Sequence, residues 1–272
     1  MSESILISDN IKKIYEERCL GLTSVRNARE LGGYKTRDGR KVKQRMLIRS
    51  GHLASLSDED AKVLKDDYNL KHVFDLRTLY EESSKPDKKL DGVTYTRLDI
   101  MDDIPIEELA SKASAQKITG DENIDLAVAY YFSKKDDYNS KDELYFSEHA
   151  LEGYKKIFTS LIEYNGATLF HCTAGKDRTG FVASIILTAL SVDKETVFDD
   201  YEATNASCEN IMMYTVEKLD GKGYSDEDII NIAKTSGVER KNIKDTFHTL
   251  EERYGSVENY IREAIGISDE QI

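Results

Sequence analysis

Short β-prone runs alternate with longer helical ones along the chain, and the change of hydrophobic period from two to about 3.6 marks each boundary. Met46–Ser50 (MLIRS), Lys71–Arg77 (KHVFDLR), Gly92–Ile100 (GVTYTRLDI) and Ala167–Cys172 (ATLFHC) read as strands, each bounded by polar residues. An N-terminal helical segment comes first. Gly32–Lys43 (GGYKTRDGRKVK) then predicts a hairpin turning at Asp38-Gly39, because Asp-Gly takes the positive φ angles such turns need. Ser57 is placed to cap a helix over Asp58–Asn69, with Asp60 to close a capping box and acids in the positive first turn.

From Arg178 onward the pattern is helical. Arg178–Leu190 and Lys194–Ser207 come first, then Ser225–Gly237, capped by Ser225 and stopped by Gly237, then two more helices ending near Ile265. Between Asp102 and Ser147 the period is mixed: Ile104–Gln116 is helical, while Ile118–Phe146 scatters apolar and charged residues. This stretch reads as a helical, lid-like insertion over the sheet edge. No repeat, low-complexity tract or linker divides the chain, so residues 1–272 are expected to form one α/β domain, a central mostly parallel sheet flanked by helices.

Charge narrows the function classes. The 272 residues carry a formal net charge of −13, which argues against a nucleic-acid or anionic-membrane surface. Any anionic ligand must be held by local positive groups. The cysteines, Cys19, Cys172 and Cys208, fall at no metal-like spacing and form no disulfide framework, so no metal site is expected and a reducing, cytoplasmic compartment is the simpler reading. Export after removal of a leader is the alternative. The longest apolar run, Phe181–Leu190, is too short to span a bilayer.

The chemistry concentrates in His171–Gly180, HCTAGKDRTG, where a strand ends at Cys172 and a helix begins near Asp177. The residues between, Thr173, Ala174, Gly175 and Lys176, can turn their N–H groups inward around one point, which suits a dianion. Arg178 adds a planar fork for two phosphate oxygens. The same positive field favours the thiolate of Cys172. Gly175 fits a position where a Cβ would block the turn, and Thr179 can donate its hydroxyl to the sulfur. An isolated buried thiol followed by a chance arginine is the competing reading, weakened by the glycine, the trailing Thr179-Gly180 and the flanking strand and helix.

HCTAGKDRTG resembles the signature loop of the cysteine-dependent tyrosine phosphatase superfamily, and its Gly-Lys-Asp-Arg core is similar to the bacterial atypical branch with dual- and triple-specificity enzymes. Asn27–Tyr34 (NARELGGY) is similar to that branch's Asn-Phe-Arg-Asp-Leu-Gly-Gly-Tyr motif, with Ala28 replacing the aromatic and Glu30 the aspartate. LIRSGHL, VFDLRTLYE, DYEATN and YGSVENYI also fall where the family has motifs, so the likeness runs from about residue 20 to 267. It implies a tyrosine-phosphatase-like fold and a two-step reaction. Cys172 attacks phosphorus, a phosphocysteine forms, and water releases inorganic phosphate, with no metal or cofactor required. The substrates implied are phosphotyrosine proteins and, as an alternative, phosphoinositides.

Candidate roles follow. Asp177 is the favoured proton donor to the leaving group, although an aspartate there also suits the helix dipole. Asp75 reads as structural; Asp99, Asp102 and Asp103 follow a strand where relatives carry a mobile acid loop and remain rivals. Lys176, if it points into the pocket, adds charge beyond what one phosphotyrosine needs; otherwise it is solvated. His171 is expected to orient the loop by a hydrogen bond, and Arg49 and Arg77 to brace strand ends. The aromatics of Ala127–Phe132 (AVAYYF) read as a thiolate-shielding lid or as core. A phosphate-binding module without turnover, and a thiol redox enzyme or sulfurtransferase resolved by Cys19 or Cys208, are the rival functions.

Overall fold

Strand β5 (Ala167–His171) lies in the middle of the sheet, and all five of its residues are buried. In the computed structural model, which describes residues 5–100, 118–134, 145–163 and 166–272, it is flanked by β1 (Arg29–Glu30), β2 (Leu47–Ser50), β3 (Leu70–Asp75) and β4 (Thr94–Arg97) in the order β1-β2-β5-β3-β4. Only β1 runs antiparallel to its neighbour. The mixed α/β architecture and mostly parallel sheet are those expected.

Strand side chains alternate between two cores, as the two-residue period requires. Leu47, Phe74 and Phe170 enter the larger one, with α5 (Glu148–Glu163), α6 (Asp177–Ala189), α7 (Lys194–Leu219), α9 (Arg240–Tyr254) and α10 (Val257–Glu263). Ile48, Val73 and Leu169 enter the other, beneath Val25, Ala28 and α2 (Asp58–Lys62). Ala28, which stands where the similar motif has an aromatic, is 2% exposed. The remaining helices among the described residues are α1 (Asp9–Glu16), α3 (Leu79–Ser84), α4 (Glu122–Lys134) and α8 (Asp226–Lys234).

Several local expectations are corrected. Asp38-Gly39 does turn, with Gly39 at φ 86°, but only isolated bridges, Lys35 to Lys41 and Thr36 to Val192, flank it rather than strands. Ser57 caps α2 by accepting the Asp60 N–H at 3.1 Å. The Asp60 carboxylate does not return the bond; it accepts the N–H groups of Thr23 and Ser24 at 3.0 and 2.7 Å, tying that loop to the helix. α2 ends at Lys62 and a π turn, Val63–Asp67, carries the chain on. α7 runs past Ser207 to Leu219, because Cys208, Met212, Thr215 and Leu219 continue its buried stripe at helical spacing.

The insertion is only partly described: Ile104–Gln116, with Asp102 and Asp103, lies outside the described residues. Its helix α4 packs through Ile124 and Val128 on Leu219 of α7 and Ile229 and Ile232 of α8, rather than over the sheet edge. Tyr131 donates to Asp228 at 3.0 Å and Phe132 stacks on Tyr224, so this part of the aromatic run serves the helical packing.

Phe170 is fully buried two residues before Cys172. Phe170→Ala is expected to cost about 3–5 kcal/mol, transfer and cavity terms together, read by urea denaturation.

Candidate active site

Parallel strands end at the same edge of the sheet, and here they assemble the site there. Ser50 of β2 and Asp75 of β3 sit in register with His171 of β5, so Ser50, His171 and Asp75 form a row immediately before the 172–176 loop. α6 starts at Asp177.

Gly175 adopts φ 70°, and a Cβ on it would collide with the Ser50 carbonyl and lie 2.6 Å from the Gly51 nitrogen. Its own carbonyl is gripped from outside the loop by Asn27 Nδ2 at 2.7 Å and Arg49 Nη2 at 3.0 Å. In a planar trans peptide the N–H points opposite the C=O. Pinning this carbonyl outward therefore turns the Lys176 N–H toward the loop interior. The grip is backed by a buried cluster: Arg49 Nη1 meets Asp200 Oδ2 at 2.6 Å, Arg29 Nη2 donates to the Asp200 carbonyl at 2.8 Å and its Nη1 to Asn27, and Tyr34 donates to Asp200 Oδ1 at 3.0 Å. Burial pushes the Asp200 carboxyl up, but Arg29 and Arg49 outweigh it and hold it below the usual range. Arg49 thus braces the loop.

Arg178 is positioned by Glu81, a residue the sequence reading passed over. Nη1 and Nη2 each donate to one Glu81 oxygen at 2.6 Å, and Nη1 also reaches the Leu76 carbonyl at 3.2 Å. The edge carrying Nε and the second Nη2 proton remains for a ligand. Glu81 also accepts the Thr173 hydroxyl, and the Thr78 N–H at 3.0 Å, while Thr78 caps α3. Burial raises the Glu81 carboxyl, yet Arg178 and the Thr173 hydroxyl bring it down to about 2. The Thr78-x-x-Glu81 spacing of a capping box was the available signal.

Behind the loop lies a second buried network. Arg77 forks onto Asp75 at 2.8 and 2.7 Å and touches Asp87 at 3.1 Å. His171 places Nε2 2.9 Å from Asp87 and Nδ1 3.1 Å from the Cys172 carbonyl. Asp75, Asp87 and His171 bring ligand-type atoms within 4.8 Å of one another. Arg77 bridges those two carboxylates, the place a bound cation would take. Asp75 is structural in this arrangement.

The other predicted residues divide. Cys172 is 3% exposed, and the Thr179 hydroxyl is buried with no hydrogen-bond partner among the described residues, a costly state unless something at the loop completes it. Thr173 is exposed and Ala174 half-buried. Asp177 keeps 39% side-chain exposure in the first turn of α6. Lys176 departs from the inward-pointing expectation: Nζ donates to the carbonyls of Thr235 and Gly237, at 2.6 and 3.0 Å, beyond the end of α8. Asp99 pairs with Arg97 at 3.3 Å. Cys19 and Cys208 are free thiols, and both neighbour Tyr15.

Residues 20–272 match the sequence profile of the tyrosine phosphatase family, and the chain belongs to that family. It is similar to a Cupriavidus necator protein, 26% identical over 261 residues that cover 93% of this chain and 86% of that protein. A tyrosine-protein phosphatase of Nostoc commune is 27% identical over 83% of this chain and 71% of its own length. A triple specificity protein phosphatase, PtpB of Mycobacterium tuberculosis, is 26% identical over 82% of this chain and 86% of its own.

Two predictions follow from this geometry. Gly175→Ala should lower turnover about a hundredfold by misplacing the loop, at a stability cost above the ~1–3 kcal/mol of the strained φ because the Cβ also meets the Ser50 carbonyl, compared by kinetics and thermal melting. Glu81, depressed from an ordinary 4.5 to about 2, stabilises the fold above pH 4.5, and that contribution disappears as pH falls toward 2. The deficit of Glu81→Gln against wild type in urea unfolding should shrink from on the order of 3 kcal/mol at pH 7 toward zero near pH 2.

Proposed function

We propose that this member of the tyrosine phosphatase family hydrolyses phosphotyrosine in proteins through a phosphocysteine on Cys172, and that it does so as a single domain in a reducing compartment. The observation that carries this reading is the paired preparation of the loop. Its carbonyl at Gly175 is fastened outward, and the Arg178 fork presents one edge to Glu81 and the other to the ligand.

Phosphate oxygens bind the loop N–H groups and the free Arg178 edge. Cys172 Sγ attacks phosphorus as the P–O ester bond breaks, and Asp177 passes its proton to the departing oxygen. In the second half, water attacks the phosphocysteine, its proton goes to the Asp177 carboxylate, and the S–P bond breaks with the Thr179 hydroxyl donating to the leaving sulfur. The loop amides and guanidinium offset charge on the equatorial oxygens throughout, already aligned before substrate arrives.

Phosphotyrosine is favoured over phosphoinositide by Lys176. The lysine that would serve a second phosphate has its ammonium on the Thr235 and Gly237 carbonyls. Three free cysteines support the reducing compartment, and among the described residues no helix is long and apolar enough to cross a membrane.

The test is phosphate release from phosphotyrosine peptides, phosphoserine peptides and phosphoinositides. Wild type should turn over the tyrosine peptides fastest, Cys172→Ser should release none, and Asp177→Asn should lose about 10²–10⁴-fold on the peptides. Faster release from phosphoinositides, or turnover by Cys172→Ser, would overturn the assignment.

A further inference from the structure

We propose that the hydroxyl of Tyr145 is a catalytic contact for the leaving oxygen of an aryl phosphate, standing with Asp177 on the side of the pocket where the ester bond breaks. The inference rests on the phosphatase reading above and adds a residue to it that no motif marks.

Tyr145 lies just before α5, and its ring stacks on Phe181 with centroids 5.0 Å apart and planes 20° from parallel. Phe181 follows Asp177 by one helical turn, so a ring lying flat on it covers the first turn of α6, where the loop ends. The next residue, Phe146, packs edge-on against Phe181 at 6.4 Å and Tyr260 at 6.1 Å, anchoring the segment from its other side. Tyr145 is nevertheless only half-buried.

The groups around its phenol are those of the reaction. Asp177, Arg178 and Cys172 all lie within electrostatic reach, joined by Tyr130 from α4, Tyr154 from α5 and Tyr201 from α7. Burial, then the Asp177 carboxylate, push the phenol above its ordinary value, so the hydroxyl keeps its proton across the working range and can act only as a donor when an oxyanion forms beside it. No described residue takes up its hydrogen bond.

Two charged donors at the loop are already engaged. The Arg178 end edge is held by Glu81, and the Lys176 ammonium by the carbonyls beyond α8. As the P–O bond lengthens, negative charge grows on the phenolic oxygen of the substrate. That oxygen has two lone pairs: one accepts the proton that Asp177 transfers, and the other accepts a hydrogen bond from Tyr145, which retains its own proton. No net transfer involves Tyr145. Its contribution is made where charge develops, and it grows as the leaving group becomes a poorer anion.

Tyr145→Phe keeps the ring, its volume and its stack on Phe181 while removing the donor. The measurement is kcat/KM for wild type and variant over aryl phosphates of rising leaving-group basicity, from p-nitrophenyl to phenyl phosphate and a phosphotyrosine peptide. The variant should lose at least about tenfold on phenyl phosphate and the peptide, the worth of one hydrogen bond made in the transition state, and less than about twofold on p-nitrophenyl phosphate. An unchanged profile, or an equal loss across the series, would overturn the proposal. Asp177→Asn run alongside separates the two roles: a steeper leaving-group dependence in Tyr145→Phe with none in Asp177→Asn upholds Tyr145 and removes Asp177 as the acid.

Discussion

A loop that binds an anion through its own backbone must aim several N–H groups at one point, and planar peptides then throw the matching carbonyls outward. Those carbonyls cannot be left buried without partners, because each would forfeit a hydrogen bond's worth of solvation. The Gly175 carbonyl is where this structure meets the requirement. Asn27 and Arg49 take it, and Arg29, Asp200, Tyr34 and Thr204 hold those two in place. A buried arginine pair sharing one carboxylate is expensive to assemble and is weak evidence for stability. Its value here is positional: it sets the plane of the Gly175–Lys176 peptide.

The same constraint explains why chemically distinct segments far apart in sequence end at one place. The order β1-β2-β5-β3-β4 puts β2 and β3 on either side of β5. Residues leaving β2 (Arg49, Ser50, Gly51) therefore support one flank of the loop, and those leaving β3 (Asp75, Leu76, Arg77), with Glu81 just beyond, support the other. α7 crosses behind α6 to deliver Asp200, and its Tyr201 ring lies so close to Gly180 that a Cβ there would sit 2.7 Å from it. Each flank pairs its own charges, Asp200 with Arg29 and Arg49 on one side and Arg77 with Asp75 and Asp87 on the other. That leaves Arg178 as the cation whose pairing keeps an edge open to the ligand.

Much of this was legible in the chain, and the illegible part has a common cause. Strand ends, the Ser57 and Ser225 caps and the anion loop follow from local rules, since periodicity and capping involve residues a few positions apart. Asp60 obeys those rules in spacing and breaks them in partner, because Thr23 and Ser24 offered it two N–H groups against the one at the helix start. Glu81 carried a capping-box signal that said nothing about Arg178, 97 positions away. Lys176 has an ordinary loop position, and only the fold brings the Thr235 and Gly237 carbonyls to it. Tyr145 sat in a stretch without a clear period, where an aromatic reads as core. Who meets whom across the sheet is a tertiary matter, and it is there that local reading ends.

A net charge of −13 looks unsuited to a phosphorylated substrate until distance is considered. At physiological ionic strength charges beyond about 8 Å are largely screened, so the distant acidic surface contributes little at the loop. Nearby, Glu81 offsets most of the Arg178 charge before any ligand arrives, and Asp177 adds a carboxyl at the rim. The Arg178–Glu81 pair is therefore close to neutral, not a strongly positive trap. What remains is geometry: the outward Gly175 carbonyl, which turns the Lys176 N–H inward, and the Arg178 edge that Glu81 leaves unoccupied. A carboxylate, with two oxygens in one plane and a single charge, would match that arrangement less well than a phosphate group, so shape and charge select together.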